Sequence, residues 1–242
     1  MINQVRFSNS VKFFERDFCN YWNVTTYENN TAPCLFVGVY EMNDVNVINN
    51  HKGFKVIMNT GKIRECFSQI NPENVVVKTN KITGEPPGQY KTKEAMFQIK
   101  DFSIFTPNRL GNKVYCYLGS ESSREIMGYS FMEKLRSRIS FEIIYGFLGN
   151  SIEYVKEQYY DKCFVNIKPN PIGGTTTAVE LAYMGRKTIS NTEAPFCINY
   201  KDIDHIADLI KEESKKIGTI QPSCVGNYYN TGEEWKQTKF WL

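Results

Sequence analysis

Histidine is nearly absent from this 242-residue chain, which has only His51 and His205. Its seven cysteines (Cys19, Cys34, Cys66, Cys116, Cys163, Cys197 and Cys224) include no Cys-x-x-Cys pair. A structural zinc site needs clustered nitrogen and sulfur ligands, so the sequence argues against one, and no metal ligand is assigned. The odd number of thiols, several inside apolar runs such as VYCYL and CFVNI, reads as buried, reduced cysteine in a cytoplasmic protein. Long apolar runs are missing too. No window is apolar enough to span a bilayer, and the opening MINQVRFSNS lacks the core of a signal peptide, so no transmembrane segment is expected. The sequons at Asn23 and Asn29 are then read as chance matches. Charge of one sign is also lacking. Twenty-nine basic residues face 26 acidic ones for a net charge of +3, with no basic run, so no nucleic-acid partner is expected. No internal repeat or low-complexity tract is evident.

What is present is alternation. In the C-terminal half, Val114 to Leu118 reads as a strand, Tyr129 to Arg138 as a helix and Phe141 to Tyr145 as a strand. Ile152 to Tyr160 reads as a helix, Cys163 to Lys168 as a strand, and Ile203 to Lys216 as an amphipathic helix. The N-terminal half alternates less cleanly. Strands are expected at Gln4 to Phe7, Leu35 to Tyr40, Phe54 to Met58 and Val75 to Lys78. Helices are expected at Val11 to Cys19, Asp44 to Asn49 and Lys62 to Ile70. The turn-rich TGEPPGQY, Thr83 to Tyr90, is a hinge candidate, and Phe102 to Phe105 a last N-terminal strand. This pattern predicts an α/β protein of parallel sheets covered on both faces, with ligands at the carboxyl ends of the strands. Abundant Asn, Lys and Ile fit an AT-rich genome, viral or bacterial.

The most informative stretch is NIKPNPIGGTTTAVELAYMGRKTISN, Asn166 to Asn191. It reads as the end of a strand, a Pro- and Gly-rich loop, a helix opened by three threonines, and a second strand. Gly173 and Gly174 allow a sharp turn and close approach to a ligand. Thr175, Thr176 and Thr177 offer hydroxyls and N–H groups where a helix starts, a ready place for phosphate. Glu180 follows within about a turn and is suited to accept hydrogen bonds from a ribose.

GGTTTAVELAYMGRKTI resembles the donor-binding signature of GT-B glycosyltransferases. The resemblance implies two Rossmann-like domains, the N-terminal one reduced. It divides the chain into an acceptor-side domain (1–112), a donor-binding domain (113–220) and a tail (221–242) that crosses back onto the first domain through Trp235, Phe240 and Trp241. An exposed, partner-seeking tail is the alternative. The implied activity is metal-independent transfer of a sugar from a nucleotide-diphosphate-sugar, a UDP- or GDP-sugar, to the hydroxyl of a glycan, protein or small molecule. The donor is a substrate, and no cofactor is implied. Gly173, Gly174 and the threonines would face the diphosphate, Glu180 the ribose, and Gly185 would separate helix from strand. Lys187 stands where the family usually has proline. Ile172 occupies the place of the first glutamate of the retaining branch, so stereochemistry stays open.

Other site residues are weighed on position. Arg124, after the first strand of the donor domain, and Lys168, after the signature strand, could neutralise a diphosphate. Tyr145 and Phe147 stand where the nucleobase would sit, with a core role as the alternative. An inverting transfer needs a base for the acceptor hydroxyl. Glu41, Asp44 and His51 are the candidates, although Asp44 also reads as a helix cap and His51 as a helix-terminal residue. A non-catalytic nucleotide-sugar-binding subunit and a sugar-nucleotide epimerase of the same architecture are the rival readings.

Overall fold

Buried strands of a parallel sheet must be apolar on both faces, and CLFV, KVIM and VVVK meet that requirement in the N-terminal half. The computed structural model describes residues 1–60, 63–79, 86–171 and 175–242. It divides into two units, Met1–Asp101 with Tyr229–Leu242, and Phe102–Tyr228. The first boundary falls at residue 101 rather than 112, and the segment 221–228 belongs to the second unit rather than to the tail. Residues 83–85 of the hinge candidate lie outside the described residues.

The first unit is a six-stranded parallel sheet. Its strands are β1 (Gln4–Phe7), β2 (Thr25–Thr26), β3 (Cys34–Val37), β4 (Lys55–Met58), β5 (Val75–Thr79) and β6 (Lys91–Glu94), in the order β2-β1-β3-β4-β5-β6. Side chains alternate between faces along each strand. Leu35, Val37, Val56, Met58 and Val76 point to one face, with Phe18 and Trp22 of α1 (Glu15–Trp22). Cys34, Phe36, Ile57, Val75 and Val77 point to the other, against Val45 and Ile48 of α2 (Met42–Asn50). The returning segment completes the first core. The Trp235 indole stacks on Phe97 at 4.9 Å and meets Trp22 edge-on, and the Trp241 Nε1–H donates to the Trp235 carbonyl at 2.6 Å. Lys91 and Lys93 on β6 donate to the carbonyls of Leu242 and Phe240, so they cap α7 (Thr238–Trp241) at its carboxyl end.

The second unit is a five-stranded parallel sheet in the order β11-β10-β9-β7-β8. Its strands are β7 (Lys113–Gly119), β8 (Ile143–Phe147), β9 (Cys163–Ile167), β10 (Lys187–Ile189) and β11 (Cys197–Ile198). One face carries Val114, Cys116 and Leu118 against Met132 and Leu135 of α3 (Tyr129–Arg136) and Ile206 and Ile210 of α6 (Ile203–Ser214). Between β8 and β9 the chain forms α4 (Ile152–Val155), which continues as a π turn over Lys156–Tyr160. The signature helix is α5 (Thr176–Tyr183).

The chain is therefore α/β with two parallel sheets. Local departures from the sequence reading have physical reasons. Lys62 to Ile70 reads as a helix, but its described part holds only a short 3-10 turn, Glu65–Gln69. Phe102 to Phe105 form a turn, not a strand, and both phenylalanines are buried by ring packing. The edge strands β2 and β6 have polar sequences (TT and KTKE), so no apolar run announces them.

Candidate functional site at the carboxyl edge of the second sheet

In a parallel sheet the chain reverses its direction of travel at one place, and the loops on either side of that place leave a crevice. Here β8 lies on one side of β7 and β9 on the other, so the crevice opens beyond the carboxyl ends of β7 and β9. The loop after β7 begins at Gly119, whose φ of +74° belongs to the left-handed region that favours glycine. A Cβ there would fall 2.6 Å from Ser123 Oγ. The same loop reaches the loop after β9. A Cβ on Gly128 would lie 2.7 Å from Pro169, and the Asn170 side-chain amide donates to the Ile126 carbonyl at 3.3 Å.

Lys168 follows β9 at this edge and is 6% exposed. Its ammonium donates to the Asn170 carbonyl and, at 3.3 Å, to Thr192 Oγ1, which lies 3.0 Å from Ser190 Oγ. Burial lowers its pKa to about 8. Thr175 is the N-cap of α5 and hydrogen-bonds the half-buried Tyr228; Thr176 and Thr177 form the first turn. Gly173 and Gly174 lie outside the described residues. Gly185 has φ +85°, and a Cβ there would meet the Gln221 carbonyl at 2.3 Å, so a glycine is required where the chain turns into β10.

Glu180 is buried, at 4% exposure, and accepts a hydrogen bond from the Tyr160 hydroxyl. Burial and the neighbouring Glu180 carboxylate push the Tyr160 phenol well above its ordinary range, so it remains a donor, and Thr177 hydrogen-bonds the same tyrosine. Tyr115 and Tyr117 of β7 also feel the Glu180 charge. The carboxylate thus sits under the signature helix among tyrosines rather than on a solvent-facing turn. Nothing in the spacing of the sequence marks Tyr160 as its partner. Arg186, also passed over by sequence reasoning, is 0% exposed and donates to the carbonyls of Met184 (2.5 Å), Arg109 (3.0 Å) and Asn108 (3.5 Å), which ties the start of the unit to β10.

Three further candidates, Arg124, Tyr145 and Phe147, have other surroundings. Arg124 is half-exposed, pairs with Glu121 at 2.5 Å and lies 4.9 Å over the Tyr129 ring. Tyr145 packs on the face covered by α3, and its hydroxyl donates to Glu133 at 2.8 Å; burial, helped by that contact, lifts its pKa to about 12. Phe147, at the end of β8, is 38% exposed. Asp202-Ile203-Asp204 has the Asp-x-Asp spacing. However, Asp202 caps α6 by accepting from the His205 N–H at 2.8 Å, and Asp204 pairs with Arg138. Among the described residues, no three His, Cys, Asp or Glu side chains gather in a way that could hold a metal, and no helix is long and apolar enough to cross a membrane.

In the first unit, β1 and β3 flank the corresponding crevice, with Gly38 at φ +79° after β3. Asp44 sits there fully buried and accepts from Ser8 Oγ (2.7 Å), Tyr40 N (2.9 Å) and Arg6 Nη1 (2.9 Å). Burial works to raise its pKa, but these donors together hold it below the ordinary carboxylate value. It fastens the crevice and is poorly suited to take a proton. His51 is 1% exposed, ends α2 before β4 and therefore lies at the amino edge of the sheet, opposite the crevice. Its Nδ1 is 3.2 Å from the Tyr27 hydroxyl, and burial lowers its pKa to about 4. Glu41, the N-cap of α2, is exposed at the crevice edge. Comparison of the chain with protein-family models finds no match, and neither does comparison with curated protein sequences.

Proposed function

We propose that the second unit binds a nucleotide-diphosphate-sugar at its carboxyl edge and that the protein is a glycosyltransferase of GT-B type, acting without a required metal. The observation that supports this reading is that the buried Lys168 and the threonine-rich start of α5 both follow β9, the strand beside the topological switch point; the role of Glu180 rests on the sequence resemblance. A helix N-terminus and a buried cation are both suited to a diphosphate. The sugar would then be transferred to an acceptor hydroxyl, with inversion or retention left to experiment.

A second reading, a nucleotide-sugar-binding module without turnover, draws support from the first unit. Asp44 has its oxygens occupied and His51 is sealed at the far edge, so of the three candidate bases only Glu41 is exposed at the crevice. A thermal-shift screen against UDP-, GDP-, ADP- and CMP-sugars tests the donor site, and donor hydrolysis or transfer by the purified protein separates the two readings. Stabilisation by none of the four classes would remove both. Stabilisation that needs manganese would overturn the metal-independent site.

A further inference from the structure

The first unit holds a buried cation with few partners among the described residues. Lys78 belongs to the apolar run VVVKT of β5 and is 4% exposed. Register pairs it with Met58 on β4 and Lys93 on β6, so it lies on the face that carries Val56, Met58, Val76 and Phe97. Among the described residues its ammonium has one hydrogen-bond partner, the Met96 thioether at 3.9 Å, and it stands 5.3 Å from the centre of the Phe97 ring. No carboxylate of the described residues forms an ion pair with it. Glu94 acts on it only at longer range, and Lys93 beside it is engaged with the carbonyl and ring of Phe240.

A thioether is a weak acceptor, and a ring face only partly compensates a desolvated cation. Removing an ammonium from water is costly unless oxygen acceptors replace the lost hydration. Buried lysines elsewhere in the chain have such oxygens: Lys55 donates to the Glu73 carbonyl at 3.3 Å, and Lys168 to Asn170 and Thr192. Lys78 has none among the described residues, and it lies near the end of a strand on the edge where parallel sheets receive ligands.

We propose that the first unit carries an oxyanion-binding site at the carboxyl end of β5, in which Lys78 pairs with a phosphate or carboxylate group of a ligand. The site is separate from the nucleotide-sugar reading of the second unit, and either can fail without the other. The oxyanion supplies the acceptor oxygens that the fold withholds, and the apolar walls of Met58, Met96 and Phe97 strengthen the pairing by keeping the local dielectric low.

Met96 provides a local readout. The full chain labelled with 13C at methionine methyl groups is titrated with sodium phosphate and, separately, with sodium acetate, against sodium chloride of equal ionic strength. The Met96 signal is assigned from Met96→Leu. The expected result is a saturable shift of the Met96 methyl, unchanged in Lys168→Met and weakened roughly tenfold or more in Lys78→Met. A response to phosphate alone identifies a phosphate site, to acetate alone a carboxylate site, and to both a general oxyanion site. No saturable shift with either anion overturns the proposal, as does a shift of equal affinity in Lys78→Met. Should Lys78→Met fail to fold, Lys78→Gln replaces it in the same titration under the same criteria.

Discussion

The two sheets each bring one lysine to the carboxyl end of a strand and surround it differently. Lys168, after β9, finds two oxygen acceptors within its own unit, whereas Lys78, in β5, finds sulfur and a ring. Burial lowers both to a pKa of about 8. Their carboxylates have different neighbours. Asp44 of the first unit is surrounded by donors that hold it ionised, while Glu180 of the second sits among buried tyrosines. Position at a strand end therefore does not decide whether a charged side chain serves the fold or a ligand.

The comparison breaks most sharply at Asp44. If it fastens the crevice of the first unit, Asp44→Ala leaves Arg6 and the Ser8 hydroxyl without their acceptor and destabilises that unit by about 3 kcal/mol. Urea unfolding measures this, and a loss under about 1 kcal/mol would contradict the structural role.

Next in size is the acid limb of the first unit. The His51 pKa of about 4 lies below its ordinary value near 6.5. The unfolded chain therefore binds the proton first, so stability is complete above pH 6.5 and declines as pH falls toward 4. The contribution is about 2–3 kcal/mol at full effect, and His51→Gln flattens this limb of the stability–pH curve. A curve of unchanged slope in the variant would show that His51 titrates as it does in water.

The lysines should separate in stability as they do in geometry. Lys168→Met removes the donor to Thr192 and Asn170 and costs about 1–2 kcal/mol at pH 7, whereas Lys78→Met removes a poorly compensated charge and is neutral or stabilising. Because the folded pKa of Lys78 is depressed, the unfolded chain holds its proton to higher pH. Wild type should thus gain stability relative to Lys78→Met as pH rises from 8 to about 10.5, the ordinary lysine value. Equal effects of the two substitutions at pH 7 would erase the distinction.

The smallest effect concerns Glu180. Glu180→Gln keeps an acceptor for Tyr160 and should preserve the melting temperature. If the carboxylate receives the ribose hydroxyls, nucleotide affinity falls roughly tenfold, and a 2′-deoxy nucleotide loses little more. Unaltered nucleotide affinity in Glu180→Gln would assign the carboxylate to the tyrosine cluster alone.

Much of the fold was legible because its signals are local. Apolar runs such as LFVGVY and FEIIY and the spacing of Ile203, Ile206 and Ile210 announce strands and a helix without help from distant residues. The edge strand KTKE was not, because one of its edges faces no further strand and its residues need not be apolar. Within the candidate site, Lys168, Thr175 to Thr177, Glu180 and Gly185 could be read from one contiguous stretch. Tyr160 could not, since its meeting with Glu180 depends on how a π turn seats against α5. The engagement of Arg124 and Tyr145 with Glu121 and Glu133 was similarly hidden, because composition does not show which surface partner a side chain selects. Lys78 carried a signal that could have been used: a lysine inside a run of valines is rarely there without a counter-charge.

The return of residues 229–242 to the first unit has a consequence for synthesis. Trp235 and Trp241 supply buried rings beside Trp22 and Phe97, yet the whole of the second unit is translated between them and the first strand. The second unit ends at Tyr228, so all of it has been made while the earlier half still lacks part of its interior. Order of synthesis and order of completion are thus inverted. A stop codon near residue 229 would damage the half of the protein furthest from it in the message.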